Sequence, residues 1–256
     1  MTVIPRIIHQ TWRDQHVPAY LADLRRSWRR FHPDWDHRLW TDHDNRTLIH
    51  DRYPEFLDIY DAYPLAIQRA DAVRYFILDA FGGVYADLDM QAIRPLTPVL
   101  HNRTCVFGTE PRAHAVANCT DMIIGNALMA SVPQHPLWSN VHSALIRHRN
   151  AVAWSQPDVL RSTGPLMLTD VVRCQRPPVT VLPPNTFYPR LDATNRLVFS
   201  DPMTASEEQA TYLDAVRDGL DVNDAYTVHH WAGTWTHWAA IKQYVIETSA
   251  PPRANV

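Results

Sequence analysis

Asp87 and Asp89 flank Leu88 at the end of a short apolar run, Gly83-Val84-Tyr85-Ala86. Two carboxylates this close repel each other unless a cation or solvent separates them. Hard divalent cations such as Mg²⁺ and Mn²⁺ take carboxylate oxygens and complete their shell with water and substrate phosphates. Upstream, Asp71 and Arg74 stand at i and i+3 and therefore share one helical face. As a surface ion pair they would contribute only about 0.2–1 kcal/mol. Pointed into the same cleft as the two acids, they would add a carboxylate and a guanidinium to its chemistry. His229-His230-Trp231 closes another apolar run far along the chain. A histidine there is more often a hydrogen-bonded core residue, and with 14 histidines in the chain most must be bystanders. Neutral imidazole nevertheless suits Mn²⁺, and two acids leave coordination positions open.

The elements that must position these groups are legible around residues 70–90. Val73, Ile77 and Phe81 recur at helical spacing, and Gly82-Gly83 then stops the helix where a left-handed cap needs no side chain. The period next switches to two, so the spacing predicts a strand running through Asp89. Val84, Ala86 and Leu88 would share one of its faces, and Tyr85, Asp87 and Asp89 the other. Before this block the sequence predicts a strand over 3–9 that empties into Gln10-Thr11-Trp12, and a helix over 19–31. A second strand is expected over 37–41, then two short helices broken at Pro54. After it come strands over 104–108, 179–182 and 226–231 and helices over 137–148 and 157–173. Residues 185–203 read as irregular, and further helices are expected over 207–220 and 238–248. No internal repeat or low-complexity linker interrupts the pattern, which reads as one α/β domain.

The totals bound the function classes. A chain of 256 residues can bury a sizeable core, and its net charge of −3 gives no argument for nucleic acid or an anionic membrane. Cys105, Cys119 and Cys174 are odd in number and lack CxxC spacing, which reads as reduced thiols. No apolar leader precedes Pro5 and no apolar run approaches the ~18 residues of a membrane helix. The expectation is a cytoplasmic protein, with peripheral attachment to a membrane left open. Walker, GxGxxG and GxSxG motifs are all missing, so P-loop, dinucleotide and nucleophile-elbow chemistry are unsupported. A phosphoaspartate hydrolase would place Thr or Val two residues past the second acid, and position 91 is Gln.

Four blocks together carry a resemblance: IPRIIHQTW at 4–12, RADAVRYFILDAFGGVYADLD at 69–89, STGPLMLT at 162–169 and HHWAGTW at 229–235. They resemble the DXD-containing sugar transferases of glycosyltransferase family 32, nearest the inositol-phosphoceramide mannosyltransferase and initiating α-1,6-mannosyltransferase type. The resemblance implies a GT-A fold, a Rossmann-like mixed sheet flanked by helices. It implies a single domain over 1–256, with a donor-binding part at about 1–110 and an acceptor-side and C-terminal part at about 111–256. It further implies a nucleotide-sugar donor, a Mn²⁺ or Mg²⁺ ion, and retention of configuration. GDP-mannose is preferred to a UDP-sugar, and the acceptor is a glycan, glycolipid or small-molecule hydroxyl.

Carried over by position, the catalytic residues would be Asp71, Arg74 and Asp89. Thr11, Trp12, Asp71, Arg74, Asp87 and Trp235 would bind the donor. Asp87, Asp89 and His230 would hold the metal, with His230 preferred to His229 for its spacing to Gly233. Asn126, Ser162 and Gly164 would line the acceptor side. Two alternatives stand beside this reading. One is a UDP-sugar-dependent galactosyl-, glucosyl- or N-acetylglucosaminyltransferase, and the other is a non-catalytic sugar-nucleotide-binding domain of the same fold.

Overall fold

Pro5 has no backbone N–H to give a sheet, and the first strand starts only beyond it. Ile7 N–H turns back to the Pro5 carbonyl at 2.9 Å, and β1 runs over Ile7–Thr11. The shift from the expected 3–9 places Thr11 at the carboxyl end of the strand. The structure, a computed structural model, describes residues 3–149, 156–175, 178–192 and 222–233. The helices expected over 207–220 and 238–248 lie outside them, as does Trp235.

Helix α1 (Ala19–Phe31) buries Leu21, Leu24 and Trp28 and carries Arg29 and Arg30 in its last turn, where cations complement the helix dipole. β2 spans Asp36–Trp40. Thr41 then starts α2 (Asp42–Arg52) with a reciprocal capping box to Asp44. Pro54 ends that helix region as expected, and α3 (Leu57–Ala62) follows. Helix α4 (Ala66–Phe81) is buried at every position from Asp71 to Leu78. A helix enclosed on all sides must find partners for its polar side chains inside the protein.

Two glycines turn the chain out of α4. Gly82 has φ 61° and ψ −160°, a region essentially open to glycine alone. A Cβ there would come within 2.6 Å of Pro133, and one at Gly83 would come within 2.7 Å of the Ile7 carbonyl oxygen. β3 follows over Gly83–Ala86, then β4 (Met90–Ala92), α5 (Thr97–Leu100) and β5 (Cys105–Thr109). The chain continues through α6 (Arg112–Ala117), β6 (Ile124–Ser131), α7 (Leu137–Arg147), α8 (Gln156–Ser162) and α9 (Pro165–Gln175). β7 (Thr180–Leu182), the single turn α10 (Pro184–Phe187) and β8 (Thr227–His229) complete the described elements.

The central sheet has the order β2-β1-β3-β6-β5-β7, and β4 pairs with β8 in a separate two-stranded ribbon. β1 pairs in parallel with β2 and β3, β6 is antiparallel to β3 and β5, and β5 is parallel to β7. Only β6 therefore runs against the others in this sheet. The carboxyl ends of β1, β3 and β5 fall on one edge, where open α/β sheets bind ligands. Tyr85, Phe107 and Met129 face the α4, α7 and α9 side, while Val84, Ala86, Val106 and Leu128 face the side with Trp28.

The strand does not run through Asp89 as the period-two pattern predicts. Asp87 N–H still pairs with Ala127 at 2.8 Å, but Met90 N–H closes a turn onto the Asp87 carbonyl at 3.0 Å. The turn drops Leu88 into an apolar cluster with Leu21 and Leu24. Leu88 thus keeps to the α1 side with Val84 and Ala86, and the turn sets Asp89 beside Asp87 by another route. No helix among the described residues is long and apolar enough to cross a membrane. Cys105 is buried, Cys119 and Cys174 are exposed, and all three are unpaired.

Candidate active site

A cleft of about 570 Å³ opens over this strand edge. Thr11, Trp12, Asp71, Arg74, Asp87, Asp89 and Asn126, all singled out from the sequence, line it. Its floor is a charge network rooted in α4. The Arg74 guanidinium donates to Asp71 Oδ1 at 2.9 Å, to Asp87 Oδ2 at 3.3 Å and to the Asn126 carbonyl at 3.0 Å. It also lies over the Tyr85 ring, 4.9 Å from its centre. Both members of the i, i+3 pair are buried: the Arg74 and Asp71 side chains are 4% and 7% exposed. The surface reading of that pair is therefore wrong, because the helix that carries it is enclosed.

Asp71 is further engaged by Asn126 Nδ2 at 3.2 Å and the Thr163 hydroxyl at 3.4 Å. Burial pushes its carboxyl up to about 6, against the pull of Arg74 toward the ionised form. Burial alone would depress the Arg74 guanidinium, but Asp87, Tyr85 and Asp71 outweigh it and hold the charge firmly in place. Asp87 is raised by burial, again opposed by Arg74. Its Oδ1 accepts from the Tyr85 hydroxyl at 2.8 Å, and that hydroxyl is itself 2.8 Å from Thr11 Oγ1. Tyr85 thus ties the ends of β1 and β3 together.

Asp89 is held from the other end of the chain. Its Oδ2 accepts from Ala232 N–H at 2.8 Å, and its backbone carbonyl accepts from His230 N–H at 3.0 Å. His229 Nε2 stands 3.2 Å from Asp89 Oδ1. Burial would raise the Asp89 carboxyl, yet the neighbouring His229 and the Ala232 N–H bring it down to about 2. Burial works to neutralise His229 in turn, and Asp89 overcomes it and raises that imidazole. Helix α1 fixes the turn from beneath. Trp28 Nε1–H donates to the Met90 carbonyl at 2.7 Å, and the Ser27 hydroxyl accepts from Ala92 N–H at 2.9 Å.

The two histidines exchange the places expected of them. Asp87, Asp89 and His229 each offer a ligand atom, and these atoms lie within 4.8 Å of one another. His230 turns away and donates Nε2–H to Gln91 Oε1 at 2.9 Å. Met90 is the register partner of His229 across the β4–β8 ribbon, so alternation sends the next residue to the opposite face. Spacing to Gly233 carried no information about which face was which. Oxygen donors with an imidazole suit Mn²⁺ or Mg²⁺, and His229 Nδ1 is buried without a protein partner among the described residues.

Two expected acceptor residues lie off the cleft. Ser162 is buried, accepting from Gln68 Nε2 at 3.1 Å, and its hydroxyl points to the Val159 carbonyl at 3.4 Å. A Cβ at Gly164 would meet Leu160 Cα at 2.8 Å, so that glycine permits the close turn from α8 into α9. Both serve helix packing behind the wall that Val159 and Leu160 present. Trp12 half-buries its ring against Leu21, Leu24 and Leu88 while still lining the cleft.

Sequence reasoning passed over Tyr85, Glu110 and His114. Tyr85 was visible as the residue sharing the face of Asp87. Glu110 had a signal as well, since Cys105-Val106-Phe107-Gly108-Thr109-Glu110 repeats the pattern of an apolar strand ending in an acid.

A family model described as a glycosyltransferase sugar-binding region containing a DXD motif matches residues 18–106, the span that holds Asp71, Arg74, Asp87 and Asp89. The chain belongs to this family. Inositol phosphoceramide mannosyltransferase 3 of Schizosaccharomyces pombe is 33% identical over 235 residues, 90% of this chain and 60% of that protein. Mannosyl phosphorylinositol ceramide synthase CSH1 of Saccharomyces cerevisiae is 36% identical over 169 residues, 66% of this chain and 42% of that protein. The chain thus spans about 60% or less of the length of these relatives. Among solved structures, the PaToxG glycosyltransferase superposes with a TM-score of 0.51 at 13% identity, covering 88% of this chain and 89% of its own. Mouse xyloside xylosyltransferase 1 superposes with a TM-score of 0.50 at 11% identity, covering 88% and 96%. At such identities the likeness speaks for the fold, and the fold is GT-A.

Proposed function

We propose that this chain transfers a hexose, mannose from GDP-mannose, to a hydroxyl of a glycan, glycolipid or small molecule, with retention of configuration and with Mn²⁺ or Mg²⁺. The observation that carries the reading is the meeting of Asp87, Asp89 and His229 at the floor of the cleft, with ligand atoms within 4.8 Å of one another. The mannosyltransferase names of the relatives support the choice of sugar. When bound there, a divalent cation would act as a Lewis acid toward a leaving diphosphate.

The chain's own residues supply the rest. Arg74 fixes the two acids it touches and adds positive charge near the diphosphate end of the cleft. Thr11 and Trp12 offer a wall for the nucleoside at the end of β1. Retaining glycosidases place two carboxylates across the scissile bond. Here Asp71 is held by Arg74, Asn126 and Thr163, and Asp87 and Asp89 converge with His229. Departure and attack on the same face of the sugar need no nucleophile beyond these, and a trapped covalent glycosyl-enzyme would count against it. In this reading the donor part of the chain is about 1–110 and the acceptor part about 111–256.

The test is donor hydrolysis over a panel of GDP- and UDP-hexoses, with Mn²⁺ and with chelator. GDP-mannose should turn over best, only with metal, and Asp89→Ala should lower the rate by roughly 100–1,000-fold. Turnover of a UDP-hexose in preference would move the donor assignment. No turnover of any donor, with nucleotide binding by Asp89→Ala like that of the wild type, would make the chain a binding domain.

A further inference from the structure

Glu110 follows β5 as Asp87 follows β3, and the transferase reading gives it no role. It lines the cleft with its side chain only 10% exposed. His114, one turn along in α6, sits 2.9 Å from Glu110 Oε2 through Nδ1. The tautomer follows from the other ring nitrogen: Asp192 N–H donates to His114 Nε2 at 3.1 Å, so the proton is on Nδ1 and points at Glu110. Among the described residues only Oε2 of this carboxylate is engaged, which leaves Oε1 to the cleft. The His114 ring in turn meets the edge of Trp231, centroids 4.6 Å apart, and Trp231 packs on His229 at 3.9 Å. Rings therefore connect the place where the acids converge to the place where Glu110 stands.

We propose that Glu110, oriented by His114, receives a hydroxyl of the polyol acceptor. β6 separates β3 from β5, so the two strand ends lie at least two strand spacings apart, about 10 Å. That span leaves room for a sugar between the diphosphate end, at Asp87, and Glu110. A carboxylate oxygen in such a wall accepts from an alcohol O–H and strongly disfavours an apolar group, because an unmet buried acceptor carries a large desolvation penalty. His114 is a positioning residue here, acting through Glu110.

The proposal rests on the transferase reading and is tested apart from it. Binding of GDP with Mn²⁺ to the wild type, by calorimetry, checks the reading itself. For the subsite, transfer to methyl α-D-mannopyranoside is followed with both substrates varied. Glu110→Gln should raise the acceptor KM at least tenfold while the donor KM moves less than twofold. His114→Ala should raise the acceptor KM severalfold. His114→Asn, whose amide can keep a donor toward Glu110, should restore much of it, with melting temperature followed in each variant. An unchanged acceptor KM in Glu110→Gln, or an equal rise in donor KM, overturns the subsite. So does a wild type that turns over the donor without saturating in the methyl glycoside. Loss of melting temperature in His114→Ala with no change in acceptor KM would reduce the pair to a structural contact.

Discussion

The two walls of the cleft are built on different plans. The wall carrying Asp71, Arg74, Tyr85 and Asp87 comes from one contiguous stretch, and its charged groups are cross-linked before any ligand arrives. The opposite side is assembled from Glu110 and His114, from Asp192, and from the 229–232 segment that reaches back to Asp89. The first wall is rigid because each partner there holds two others. The second keeps capacity to spare at Glu110, of which only Oε2 is engaged among the described residues. A transferase needs both: a donor site that holds its charges fixed, and a second side that can take up whatever is brought to it.

The comparison is most sharply tested at Arg74. Arg74→Ala removes the only group among the described residues that bridges Asp71 and Asp87, and leaves the buried Asp71 carboxylate facing the partly exposed one of Asp87. Breaking a buried charge pair in this way costs roughly 3–5 kcal/mol. Urea denaturation should show a loss of that size, and activity should fall with it. Arg74→Lys keeps the charge without the planar fork that reaches three acceptors, and should recover only part of the stability. A loss below about 1 kcal/mol, within the range of an exposed pair, would mean that the first wall is not cross-linked as described.

The same difference decides what could be read from the sequence. Helix, glycine stop, strand and acids occur in order over residues 70–90, so local periodicity sufficed to place Asp71, Arg74 and Asp87 together. The spacing could not say whether the i, i+3 pair was buried, because α4 is enclosed not only by its near neighbour α2 but by α7, α8 and β6 far along the chain. It also misjudged the end of β3, where the Asp87–Met90 turn stops the strand although Leu88 keeps to the α1 side that alternation gives it. The assembled side was harder. His229 and His230 are adjacent, and the pairing of β8 with β4 sets Asp89 opposite His230; it is the turn at Asp87–Met90, bringing the Asp89 carboxylate to His229, that decides which one meets it. Ser162 and Gly164 belong to a conspicuous block whose role, once α8 and α9 are packed, is to let those helices approach.

That turn makes the second prediction. His229→Ala should weaken Mn²⁺-dependent nucleotide binding by at least the roughly 10–100-fold that losing a mere partner of a metal ligand costs. His230→Ala removes a hydrogen bond to Gln91 on the other face and should change it less than threefold, about 0.6 kcal/mol. Calorimetric titration of GDP at several Mn²⁺ concentrations separates the two. The reverse order of effects would return the metal position to His230 and require the Asp89 carboxylate to turn to the other face of the ribbon.

A modest effect is expected at Tyr85. Its hydroxyl donates to Asp87 and accepts from Thr11, and its ring underlies Arg74. Tyr85→Phe keeps the ring and removes both hydrogen bonds, each worth about 1 kcal/mol at most when the remaining partners can adjust. Asp87 would still be held by Arg74 and by its backbone bond to Ala127. In a wall cross-linked this densely, one missing tie should be absorbed, so the donor KM should rise about fivefold or less with kcat nearly unchanged. An effect approaching that of Arg74→Ala would show that the wall hangs on single contacts, and its contrast with the Glu110 side would disappear.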